Sequence, residues 1–256
     1  MKSKFSYILI FFAYITHSNC QVNTENMRSE KSKLDFINTF KLNFGYELSK
    51  EEIFNLMLAG RSDYFGKNNF HIFLISNYQN GYKSISNNKE IINNKGFSHF
   101  RITKNIFPKL SFEFFLQKGF NDFILIKDRK LIGTGMRTQL LNKNKIKSFI
   151  GNGLMQESEE YDINSSKKVM LVRLTNYSTL NFFLNDDVSM NNIIYYQPSI
   201  INMKDYRILL DNEINFRIND TFSINTVINY RFDNRPHENS VKSYFQISNG
   251  FELNFQ

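Results

Sequence analysis

The residues most capable of chemistry in this chain are a few histidines, one acidic run and two glycine triplets. Beyond the first twenty residues the histidines are His71, His99 and His237. A histidine can activate a serine hydroxyl when a third polar group orients its ring. In an extended chain, residues two apart share a face. His71 then shares its face with Asn69 and Phe73, and His99 shares its face with Phe97 and Arg101. No serine falls beside either ring. Both histidines are therefore expected as interior hydrogen-bonding groups on adjacent strands, and no catalytic residue is assigned.

Glu157, Glu159, Glu160 and Asp162 could offer carboxylate oxygens to a divalent cation. In extended backbone, however, Glu157 and Glu159 share a face while Glu160 points away, so no metal site is assigned. Asp186-Asp187 reads as turn chemistry. GTG (133–135) and GNG (151–153) lie inside extended runs, not between a strand and a helix. They form no phosphate cradle and instead mark bends or close approaches. No cofactor is called for.

The elements holding these residues are strands. DYRILLDNEINFRINDTFSINTVINYRFDNRP (205–236) alternates with period two, turns at NDT (219–221) and alternates again. Strands are expected near 34–46, 52–64, 70–83, 96–107, 110–121, 129–140, 145–157, 167–183, 188–198, 205–219, 221–233 and 241–255. Charged residues fall on the polar faces: Arg101, Glu113, Arg207, Asp211, Glu213, Arg217 and Arg231. Arg207 should oppose Asp233 if the turn centres near Asp220, and Arg101 should approach Glu113 across the turn at Pro108.

Short links such as FGKN (65–68), PK (108–109), NKNK (142–145) and DT (220–221) alternate with longer ones: 84–96, 161–167 and 233–240. Short turns at one end and long loops at the other are the layout of a transmembrane up-and-down β-barrel. In lipid, unpaired backbone groups cost several kcal/mol each, so a spanning sheet must close. Its side chains then alternate between lipid and lumen, which accommodates a mean hydropathy of −0.40 with 41% hydrophobic residues. The expected fold is all-β, a transmembrane antiparallel barrel of about twelve strands over 33–256, with both termini in the periplasm. The charges would either fill the lumen or line a narrow polar pore. Two other classes stay open: an outer-membrane lipid-modifying enzyme, and a secreted soluble β-barrel with an apolar ligand.

The N-terminus supports export. MKSK is followed by the apolar YILIFFAYI (7–15) and then THSNCQ, a signal-peptide layout with cleavage expected before Gln21. Residues 21–32 would form a short periplasmic segment. Cys20, the single cysteine, leaves with the leader or carries lipid; in the first case the mature chain has no disulfide. Net charge is +8, but the basic residues are scattered, and an exported chain argues against nucleic acid. The expected location is the bacterial outer membrane, with outer-membrane lipid and the barrel-assembly machinery as partners. The closing run SVKSYFQISNGFELNFQ (240–256) places Phe255 where an assembly signal would stand.

The stretch from Ile193 to Phe255, with Tyr196-Gln197-Pro198, Tyr206, Tyr230-Arg231-Phe232-Asp233 and Arg235-Pro236 in order, resembles the salt-induced outer-membrane protein family of bacteria. His99, Arg101, Glu113, Gln117, Asn121, Phe123, Arg129, Gly133, Gly135 and Arg137 match the same family in a middle block, 99–141. Gln197 before Pro198 and Gln256 after Phe255 depart from its pattern. The resemblance implies an outer-membrane barrel of unknown function, possessing no established catalytic residues and named for a link to salt stress.

Overall fold

A computed structural model describes residues 35–48, 52–67, 70–85, 88–122, 125–162, 168–236 and 242–255. The leader, Cys20, the 21–32 segment, His237 and Gln256 lie outside the described residues. Twelve strands form one closed antiparallel barrel, each paired to its chain neighbours, with the last meeting the first. They are β1 (Asp35–Leu48), β2 (Glu52–Gly66), β3 (Phe70–Ile85), β4 (Asn88–Phe107), β5 (Leu110–Asn121), β6 (Ile126–Lys143), β7 (Ile146–Tyr161), β8 (Lys168–Phe183), β9 (Val188–Pro198), β10 (Tyr206–Arg217), β11 (Phe222–Asp233) and β12 (Ser243–Phe255).

The largest difference from the sequence reading lies at 84–96. That polar run was expected as a loop, yet it is strand: β3 continues to Ile85 and β4 begins at Asn88. Its cross-strand pairing continues to Ile85–Asn88, with a register shift at Gly81/Tyr82. The wall from β1 to β4 consequently rises above β5, whose pairing with β4 ends at Lys95–Asn121. The short turns lie at the end where Asp35 and Phe255 stand. There Asn185 accepts from the amides of Asp187 and Val188, and Asn219 from those of Thr221 and Phe222. Asn185, rather than the adjacent Asp186-Asp187, is the side chain that closes its turn.

Alternation assigns the faces. On β1 to β11 the inward side chains carry odd numbers, with a few exceptions beside turns and bulges; on β12 they carry even numbers. Outward positions hold apolar side chains such as Phe36, Phe44, Leu74, Ile132, Ile194, Ile247 and Phe251. The polar residues among them pair across strands: Ser62 donates to Asn38, Asn152 to Asn176, and Thr226 to Asn249, each at 2.8 Å. Such pairing lowers the cost of facing hydrocarbon.

The barrel closes through its weakest junction. Among the described residues five pairs are in register between β1 and β12, from Asn38–Phe255 to Leu42–Phe251. The β1–β2 register, by contrast, runs without a break from Asp35–Phe65 to Leu48–Glu52.

The charged lumen as candidate functional site

The interior is built around two carboxylates on β7. Glu157 and Glu159 sit two residues apart, both inward and both buried. Arginines from β6, β8 and β10 converge on them. Arg129 pairs with Glu157 and lies 3.1 Å from Glu159; Arg173 Nε donates to Glu157 at 2.9 Å; Arg207 reaches both. Arg207 also donates to Asp233 at 2.7 Å, Arg173 to Asp205 at 2.8 Å, and the Tyr161 hydroxyl to Glu159 at 2.6 Å. Burying this much charge is tolerable only because partners are complete, since an unpaired buried ion costs several kcal/mol. Guanidinium groups thus occupy the two carboxylates weighed as cation ligands. Glu160 points out to Lys127 at 3.4 Å, and Asp162 is exposed.

A second assembly lies nearer the short turns. Asp63 accepts from Arg61 on the same strand and meets His71 Nε2 at 2.7 Å. His71 stacks on Phe65, with ring centroids 4.3 Å apart. A column of rings then crosses the wall from His71 to Phe73, His99 and Phe115. The two histidines are indeed inward on adjacent strands, with Phe73 between them. His99 Nδ1 lies 3.2 Å from Gln117, and Arg101 Nε donates to its other nitrogen at 3.3 Å.

Arg101 reaches Glu113 at 3.4 Å, as the turn at Pro108 requires. Glu113 also accepts from Tyr177 on β8 at 2.8 Å. The glycine triplets explain this reach: a methyl group at Gly151 would collide with the Tyr177 ring, and one at Gly133 with Phe115. Gly135 and Gly153 face each other in register where the backbones crowd. These glycines leave the β6–β7 wall bare so that two large rings can lie flat on it.

The third assembly braces the closing seam. Lys41 on β1 bridges Glu213 on β10 at 2.7 Å and Glu252 on β12 at 2.6 Å. Arg231 pairs with Asp211, and Asn225 donates to Glu213 at 3.3 Å. Arg207 and Asp233 are in register, as the Asp220 turn requires. Of the seven charges singled out by sequence, the structure brings Arg101, Glu113, Arg207, Asp211, Glu213 and Arg231 inside. Arg217 is the exception. It lies at the short-turn rim, 45% exposed, beside Asp187 and Asp220, because the strand ends at that residue. Sequence reasoning missed Arg61, Asp63, Arg173 and Lys41 as interior charges; their inward parity was the available signal.

The packing leaves little space. Phe73 and Ile75 are fully buried, and Arg173 and Leu209 are 1% exposed. A cavity of about 30 Å³ beside Arg101, Glu113, Gln117 and Tyr177 has room for no more than two or three waters, each needing roughly 10–15 Å³. The buried Gln117 amide nitrogen at its edge has no hydrogen-bond partner among the described residues.

A closed twelve-stranded antiparallel barrel with an apolar outside and a paired-charge inside defines a transmembrane β-barrel of the outer-membrane type. The chain belongs to the family described as protein of unknown function DUF481, whose model matches residues 18–255. No curated protein matches it in sequence. Among solved structures it is similar to the NanC porin (TM-score 0.50, 7% identity, covering 86% of this chain and 99% of that one). It also matches the KdgM porin (0.44, 7%, 87% and 100%) and the translocator domain of autotransporter NalP from Neisseria meningitidis (0.49, 8%, 86% and 87%). The NanC likeness supports the fold; none of these matches names a salt-induced family.

Proposed function

We propose that this protein resides in the bacterial outer membrane as a structural barrel whose lumen is closed at rest, with both termini in the periplasm. The observation that carries this reading is the complete burial of Phe73 and Ile75 on the inner wall. Side chains lining an open aqueous pore would be wetted. The Arg129–Arg173–Arg207 cluster on Glu157 and Glu159 reinforces the closure, because each ion pair would have to break before solute could pass there.

In the same reading the two histidines are structural. Asp63 and stacked Phe65 engage His71, while Gln117 and Arg101 engage His99. The resemblance to salt-induced proteins makes osmotic stress of the envelope the proposed setting. Purified, refolded barrel in planar bilayers should give no steady single-channel current. Stable channel openings in the unmodified protein would reject the closed reading in favour of a narrow passive pore.

A further inference from the structure

On the outer wall, four outward residues stand in one register rung across β4, β5, β6 and β7: Ser98, Lys118, Lys130 and Ser158. Lys118 and Lys130 are direct cross-strand partners. Like charges directly opposite each other are destabilising in a sheet. Asp128 balances only part of this charge, 2.9 Å from Lys130 and 3.7 Å from Lys118, while both ammonium groups stay mostly exposed. Ser158 puts a hydroxyl on one side; on the other, the Ser98 hydroxyl shares a 2.9 Å hydrogen bond with Ser76.

The next rung toward the short-turn end is apolar on β3 to β6 and ends in Gln156 on β7. Leu74, Phe100, Leu116 and Ile132 are in register across β3 to β6. Together the two rungs border an outer groove of about 510 Å³. Its floor would meet hydrocarbon, and its cationic rung lies on the long-loop side, toward the membrane surface. We infer that this groove binds a phosphorylated membrane lipid, with its phosphate held by Lys118 and Lys130 between Ser98 and Ser158, and an acyl chain along Leu116 and Ile132. Charge complementarity selects the headgroup: two ammonium groups beside the Ser158 hydroxyl match an anionic phosphate, which must displace Asp128 and outweigh the more weakly acting Glu160. The groove's position selects a lipid, since an apolar rung within the lipid-facing wall continues directly from the phosphate seat. This inference rests on the outer-membrane reading but not on whether the lumen conducts.

The test uses the full mature chain refolded in neutral detergent. Heat-modifiable migration first establishes the folded barrel; its absence in the unmodified protein would reject the barrel reading itself. Native mass spectrometry then scores retention of phosphatidic acid, of diacylglycerol with the same acyl chains, and of inorganic phosphate. Phosphatidic acid should be retained, diacylglycerol and inorganic phosphate should not. The double variant Lys118→Gln/Lys130→Gln, folded by the same gel criterion, should retain phosphatidic acid roughly tenfold less or weaker still. Lys104→Gln, an exposed outward lysine near the short turns, should behave like the parent. Equal retention by the double variant, or equal retention of diacylglycerol, would overturn the site. Retention of inorganic phosphate alone on these lysines would make it a free-anion site and overturn the lipid assignment.

Discussion

Tyr177 on β8 donates its hydroxyl to Glu113 on β5 at 2.8 Å, although β6 and β7 separate the two strands. A cross-lumen strut of this kind ties non-adjacent staves of the barrel, which the backbone ladder alone cannot do. It exists because Gly151 offers the tyrosine ring a bare wall to lie against.

Tyr177→Phe should therefore destabilise the barrel by roughly 1.5–3 kcal/mol, the range for a hydrogen bond to a charged group. Urea unfolding in detergent, followed by far-ultraviolet circular dichroism, measures this. The lipid-facing Tyr64→Phe should stay within about 0.5 kcal/mol of the parent. Equal effects at the two sites would show that Tyr177 carries no special share.

Glu157→Gln should cost more, about 3–5 kcal/mol, because it leaves buried guanidinium groups of Arg129, Arg173 and Arg207 short of countercharge. The same variant should admit intermittent current in planar bilayers, since the densest part of the interior would loosen. A variant as stable and as silent as the parent would show that the three arginines do not depend on this carboxylate.

Deleting residues 251–256 removes every β12 residue that is in register with β1. Insertion into vesicles should then fail, leaving a protease-sensitive chain without heat-modifiable migration. Normal insertion of the shortened chain would mean that closure does not depend on this seam, and that Phe255 is dispensable to assembly.

Much of this architecture was legible in the sequence because a strand's period is local. The turn at Asp220 fixed Arg207 opposite Asp233, and the turn at Pro108 brought Arg101 to Glu113. Contacts spanning several strands were not legible in this way. Arg207 reaches Glu157 across β8 and β9, a relation set by barrel curvature and shear and by no local pattern. The acidic run around Glu157 could consequently be weighed as a cation site and set aside only on strand parity, with no sign of the arginines that hold it. β2 hid Arg61 and Asp63 for another reason: its outward face mixes Ser62 with apolar residues, which blurs the alternation.

The inner face keeps odd numbers from β1 to β11, apart from positions beside turns and bulges, and takes even numbers on β12. A change of parity across a connection therefore leaves the faces in place, since a hairpin loop can lengthen by one residue without moving its strands. Within a strand the same step is costly. One residue inserted between Leu154 and Glu157 would turn one half of β7 to the wrong side unless a bulge absorbed it. Viable relatives should accordingly differ in length at their connections and keep the interior of β7 uninterrupted.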